Sequence, residues 1–222
     1  MNVSEAILAR KSVRAFLDKP VARETVDRIL ETARHAPSGT NTQPWQVAVL
    51  SGEPMRALQQ KIVTAFETRG IGKADYNYYP QQWVSPYLER RRACGLQLYQ
   101  TLGITREDKV RQREQWVANY RAFGAPVMLM FFMDKLLEAG SYMDYGMFLQ
   151  SVMLAAEDQG LATCPQASVA DYPDVVRAEL GYDDNYQVLC GIALGYEDKA
   201  ALVNSYRTPR EPLEHFVRYY GL

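Results

Sequence analysis

Four short stretches of this chain carry residue types that could do chemistry. The first is Arg10-Lys11-Ser12-Val13-Arg14, with three cations in five residues. A guanidinium grips phosphate through two parallel charge-assisted hydrogen bonds, so the run makes a compact anion site. Its plain alternative is a solvated turn. The second is the polar loop from Ser38 to Pro44, which runs through Asn41-Thr42-Gln43-Pro44 into Trp45. Its backbone N–H groups and carboxamides could hydrogen-bond a planar polar ring, or it could merely join a helix to a strand. The third is Pro165-Gln166-Ala167-Ser168. Small residues there let a ligand approach the backbone closely, and a plain connecting loop is the other reading. The fourth, Arg207-Thr208-Pro209-Arg210, puts two arginines in a proline-stiffened turn that could complete a phosphate cage or belong to a solvated tail.

Other chemistries lack their residues. Neither GxxxxGK[ST] nor GxSxG occurs, and Gly70-Ile71-Gly72 lacks the third glycine and the preceding strand of a dinucleotide loop. The two histidines, His35 and His215, have no Cys or His close in sequence, so no metal is expected. Cys94, Cys164 and Cys190 are odd in number and far apart, which suits a reducing cytoplasm. Lys and Arg total 25 against 26 Asp and Glu, a net charge of −1, and this argues against a nucleic-acid partner. The longest apolar run, Ala125 to Met133, falls far short of the roughly 20 residues of a membrane span. The first residues show no basic start with an apolar block behind it, so no secretory signal is expected.

The elements that must position these stretches are legible from periodicity. Residues 3–10 suggest a short helix. Val26, Ile29, Leu30 and Ala33 mark an amphipathic helix over 22–36, stopped by Pro37. Trp45 to Leu50 is expected as a strand, and Met55, Leu58, Ile62 and Phe66 stripe a helix over 54–68. Helices are expected at 86–102 and 106–122, a buried strand at Ala125 to Met133, and a buried helix at 141–159, apolar on most faces. A helix over 170–180, a strand from Tyr186 to Leu194 and a last helix from Pro212 to Tyr219 complete the chain. The order suggests an α+β layer fold in one domain of 222 residues. Residues 70–123 stand out as a variable helical insertion or lid, and 207–222 as a C-terminal arm.

Taken together, the motifs resemble the FMN-dependent nitroreductase family of the oxygen-insensitive, NAD(P)H-dependent type. The resemblance rests on Arg10-Lys11-Ser12-Val13-Arg14, on Ala36 through Trp45, on Pro165-Gln166-Ala167, on Ile192-Ala193-Leu194-Gly195-Tyr196 and on Arg207-Thr208-Pro209-Arg210. It covers residues 2–69 and 124–218. It implies an α+β sandwich with a central mixed sheet flanked by helices, paired into a two-fold homodimer with FMN in each interface cleft.

The resemblance also implies roles. Arg10, Ser12 and Arg210 would hold the FMN phosphate and ribityl chain, with Lys11 and Arg207 adjacent. Arg14 would approach the N1/O2 edge of the flavin ring as a counter-charge. Pro37, Ser38, Gly39 and Asn41 would come from the partner subunit and face the ring. Ala167 and Ser168 would bring a backbone N–H near flavin N5, beside Gln166, which departs from the apolar residue many members carry. NADH or NADPH would deliver a hydride to FMN, and a small nitroaromatic acceptor would then take two electrons in a ping-pong sequence. Sister flavin chemistry (flavin reduction, alkene reduction, reductive dehalogenation) and a non-catalytic FMN-binding module are the alternatives. Tyr76, Tyr78, Tyr79, Trp83 and Tyr87 cluster in the variable segment, either as a moving aromatic gate over the acceptor or as ordinary packing.

Overall fold

The computed structural model describes residues 1–221; Leu222, the last residue of the expected arm, lies outside them. The main elements are α1 (Val3–Ala9), α2 (Arg23–Ala33), β1 (Gln46–Ser51), α3 (Gly52–Arg69), α4 (Tyr87–Leu102), α5 (Lys109–Tyr120), β2 (Val127–Asp134), α6 (Ala139–Asp158), β3 (Ala162–Gln166), α7 (Pro173–Leu180) and β4 (Tyr186–Gly195). The strands form one sheet in the order β1-β2-β4-β3, and neighbouring strands pair antiparallel. Its mixed character is confined to a parallel bridge from Ser12 to Thr163 on the outer edge of β3.

Both faces of the sheet are covered. Side chains of a strand alternate between faces. In β2, Met128, Met130 and Phe132 therefore pack on one side with Leu58 and Ile62 of α3, Tyr120 of α5 and Val176 of α7. Leu129, Phe131 and Met133 pack on the other with Ile29 of α2 and Phe148 and Val152 of α6. Burial on both faces is why β2 is apolar at nearly every position. No helix among the described residues is long and apolar enough to cross a membrane.

Four expectations are corrected. Pro165 and Gln166 do not lie in a loop: they pair with Ile192 and Gly191 as the end of β3. β3 is an edge strand of the named sheet, where a proline's missing N–H costs no ladder bond. The last helix is a single 3₁₀ turn, Leu213–His215. Phe216, Tyr219 and Tyr220 around it are exposed, and a short helix with no face packed on the body has little to stabilise it. The helix expected over 170–180 starts only at Pro173, which suits a first helical position, after a 3₁₀ turn at Ser168–Asp171. Finally, α6 is not buried all round. Tyr145, Phe148, Val152 and Ala156 face the core, while Met143 and Met147 are exposed.

Candidate active site

The N-terminal cation run is held against β3. The Val13 N–H donates to the Thr163 carbonyl at 3.0 Å, and the Asn204 carboxamide secures the turn that follows. Asn204 Oδ1 accepts from the Arg14 N–H at 2.8 Å, and its Nδ2 donates to the Ala15 carbonyl at 2.8 Å. Arg10 ends α1 as its C-terminal cap. Arg207 donates to the carbonyls of Leu8, Ala9 and Arg10, the last turn of that helix, where a cation also suits the helix dipole. The two ends of the chain thus converge. Burial holds Arg10 below the ordinary arginine range, and the positive charges of Arg210 and Arg207 add to this. Arg210 donates from Nη1 within its own turn, to the Thr208 and Pro209 oxygens. The Glu157 carboxylate lies near enough to Arg10 to oppose that lowering in part, yet neither Arg10 nor Arg210 forms a salt bridge among the described residues, and the surplus of positive charge makes an anion site.

Lys11 takes a different course. It salt-bridges Glu197 at 2.7 Å and donates to the Asn204 carbonyl, so it braces the turn. Arg14 donates to the Ser12 carbonyl at 3.2 Å and lines a cavity of about 180 Å³ with Tyr99, Trp116, Asn119 and Phe123.

Along β3 and just beyond it, three buried polar atoms have no partner: Thr163 Oγ1, Gln166 Oε1 and Ser168 Oγ. A buried polar atom without a partner costs about 1–3 kcal/mol, so Gln166 Oε1, in a residue that lines a cavity, calls for a polar ligand; Thr163, three positions earlier in the strand, faces the other side of the sheet. Gln166 and Ala167 open onto a cavity of about 720 Å³ walled by Tyr76, Tyr78, Tyr142 and Tyr145. Three of those phenols are tied back. Tyr76 donates to the Leu189 carbonyl at 2.6 Å, Tyr142 to Gln187 Oε1 at 2.8 Å and Tyr145 to the Phe132 carbonyl at 2.6 Å. Aromatic faces therefore line the space while the hydroxyls are spent elsewhere. Cys190 in this wall is inert, its thiol pushed up to about 12 by burial.

The 70–77 stretch is fixed to the body. A Cβ on Gly72 would stand 2.0 Å from the Asp171 carbonyl oxygen, so only glycine fits there. Asp75 accepts from Arg177 at 2.5 Å and from the Val188 N–H at 3.1 Å, which sets Tyr76 in the wall. Tyr78, Tyr79 and Trp83 form an edge-packed chain outward from it. Of the five aromatics singled out in the sequence, Tyr76 and Tyr78 line the cavity; Tyr79, Trp83 and Tyr87 do not. Asp171 sits half-buried below the cluster, its carboxyl pushed up to about 6 by burial.

The Pro37–Asn41 loop stands apart. Thr40, Asn41 and Gln43 have φ of 50°, 60° and 50°, a strained left-handed backbone for residues other than glycine. The loop is held by the Gly39 N–H donating to Asp144 at 3.1 Å and the Gln43 N–H donating to Ser38 Oγ at 3.0 Å. Pro37 lines a separate cavity with residues of α1, α2 and α6. Within one chain this loop does not meet Arg14 or Gln166 in a shared cavity.

Sequence reasoning missed Asn119, Thr163, Tyr142, Tyr145 and Asn204. Only the two tyrosines left a signal, at i and i+3 on one helical face.

The fold is an α+β sheet covered by helices on both faces, with arginines from both ends of the chain gathered beside its edge strand. The chain belongs to the nitroreductase family, whose profile matches residues 7–196. It is 38% identical over 215 residues to a 4-nitrobenzoate reductase of Pseudomonas putida, covering 97% of this chain and 94% of the relative. Its fold is similar to the crystal structure of the FMN and NADPH-dependent nitroreductase NfnB from Sphigopyxis sp. strain HMH, with a TM-score of 0.97, 42% identity and full coverage of both chains. It is likewise similar to the FMN-dependent NfnB of Mycobacterium smegmatis in complex with NADPH, with a TM-score of 0.93 and 38% identity over 98% of this chain and 97% of that one.

Proposed function

We propose that the protein catalyses the NAD(P)H-dependent reduction of small nitroaromatic compounds with FMN as resident cofactor. The observation that carries this reading is the gathering of Arg10, Arg207 and Arg210 beside the chain's N-terminal run, which is bridged at Ser12 to the same strand whose end carries the partnerless Gln166 Oε1. When bound, FMN supplies hydride acceptance from NAD(P)H and two-electron delivery to a nitro group. Arg10 and Arg210 bind the phosphate dianion, and Arg207 and Lys11 hold the backbone that carries them. Arg14 offers a fixed positive charge where negative charge develops, which costs no reorganisation during the reaction. The backbone N–H groups of Ala167 and Ser168 and the Gln166 carboxamide orient the ring. The tyrosine faces exclude water from it. The nitroreductase likenesses, close to full length, supply the acceptor class.

The active unit is a homodimer. Pro37, Ser38, Gly39 and Asn41 reach the ring from the partner subunit; in their own chain none of them lines the cavity of Gln166 and Ala167, and Pro37 lines a different one. Exposed Val3, Ile7 and Leu8 on α1 and Met143 and Met147 on α6, with Phe216 and Tyr220 of the arm, give the apolar surface that pairing covers. The exposed part of the 70–123 segment acts as the acceptor-side wall, hinged beyond the fixed Tyr76.

The purified protein should be yellow, release FMN on heating, elute as a dimer by light scattering and convert nitrobenzoate to hydroxylamino product with NAD(P)H. A colourless protein that takes up no added FMN overturns the cofactor. A monomer that holds FMN and turns over removes the dimer alone.

A further inference from the structure

The α4–α5 pair carries a second cation site that the flavin cleft leaves unused. Residues 87–120 hold seven basic and four acidic side chains, in a chain whose net charge is −1. Some of these cations are paired: Arg90 with Glu211, Arg111 with Asp108 and Arg113 with Glu67. Arg92 and Arg106 have no carboxylate partner among the described residues. Both line a groove of about 770 Å³ between the two helices, with Arg91, Tyr99, Gln112 and Trp116. Tyr99 and Trp116 also wall the Arg14 cavity, so the groove and that cavity lie side by side with these two rings between them.

We propose that this groove docks the adenosine end of NADPH, with Arg92 and Arg106 gripping its 2′-phosphate, and that it makes the enzyme prefer NADPH to NADH. The inference rests on the nitroreductase reading above. The 2′-phosphate is the one group that separates the two donors, and two guanidiniums with no salt-bridge partner are suited to a phosphate dianion. Tyr99 and Trp116 offer ring faces on which an adenine can stack. Arg92 and Tyr99 are seven residues apart on one helical face, about 10 Å along the axis. The cation site thus stands off from the Arg14 cavity by a length a dinucleotide spans. A nitrobenzoate has one benzene ring between its nitro group and its carboxylate and cannot bridge two helical turns. The chain has no dinucleotide-binding glycine loop, so discrimination between donors falls to side chains along the cleft.

The test uses the FMN-loaded enzyme and its Arg92→Ala and Arg106→Ala variants; both sites are on the α4–α5 surface, and thermal melts verify folding. Calorimetric titration with 2′,5′-ADP and with 5′-AMP should show the parent binding the former about tenfold or more tightly, a preference each variant loses. In stopped-flow reduction, the NADPH-to-NADH ratio of kcat/KM should fall about ten- to hundredfold in each variant, the worth of a charge-assisted contact. Arg113→Ala, in the same helix pair but bound to Glu67, should leave the ratio where it was. Equal binding of the two nucleotides by the parent overturns the proposal, as does equal loss with both donors. A raised KM for 4-nitrobenzoate but not nitrobenzene, with the donor ratio intact, overturns it in favour of an acceptor carboxylate. Should the parent oxidise neither donor, the nitroreductase reading fails, and the nucleotide titration still judges the groove.

Discussion

The Gln166 carboxamide donates from Nε2 to Asn119 Oδ1 at 2.7 Å and to the Asn119 carbonyl as well, tying the end of β3 to α5. Its own Oε1 is left buried with no partner, in a residue that lines the tyrosine cavity. Gln166→Leu removes the carboxamide and strands both Asn119 acceptors. Denaturant unfolding of the holoenzyme should show a loss of about 1–3 kcal/mol. An unchanged midpoint would mean that water replaces the lost donor.

Arg14→Leu should keep most of the FMN while slowing reduction by NAD(P)H. One charge-assisted contact to a developing anion at a preorganised site is worth about 2–4 kcal/mol of barrier. Stopped-flow reduction at the parent's rate would remove Arg14 from the electronic role.

Arg210 and Arg207 should separate cleanly. Arg210→Ala removes a cation from the cage and should raise the FMN Kd about tenfold or more, with a weaker salt dependence. Arg207→Ala removes the cap on α1 and should lower Tm by about 2–4 °C for a chain of this size, a net loss near 1 kcal/mol. Fluorescence titration of the apoprotein with FMN and a thermal melt measure the two effects. A reversed pattern would exchange their roles.

Tyr78→Ala should raise the KM for bulky nitroaromatics about two- to tenfold, the loss of roughly 0.5–1.5 kcal/mol of aromatic contact. Trp83→Ala, outside the cavity wall, should change it less. Paired half-reaction kinetics on both variants decide the matter. Equal loss of both half-reactions together with Tm would make Tyr78 a packing residue.

Asp171 makes stability depend on pH in an unusual direction. Burial raises its carboxyl from the ordinary 3.8 to about 6, so the folded protein binds a proton that the unfolded chain has released across that window. The group therefore destabilises the fold above pH 6, and that penalty fades as pH falls towards 4. Asp171→Asn should unfold at higher denaturant than the parent at pH 7.5 and match it near pH 4. A constant gap across that range would mean that the charge is not the cause.

Several features were legible without coordinates, because their signals are local. The stripe Val26, Ile29, Leu30 and Ala33 needs only neighbours within two turns to declare a helix. The unbroken apolar run of β2 declares a strand covered on both faces. Formal charge is written in the residue, so the two arginine-bearing ends of the chain stood out as anion sites. Only tertiary structure decided which of those cations stay free. Lys11 is taken by Glu197 and by Asn204, 193 positions away, and Arg207 by α1, while Arg10 and Arg210 are left beside each other. The same holds for Pro165, a strand residue because β3 lies at the sheet's edge, and for Tyr76, a wall residue because Leu189 accepts its hydroxyl. A residue type fixes what a side chain can bond to, but its partner is set by contacts between segments far beyond the span of a helical turn or a strand pleat, which leave no periodic trace in the sequence.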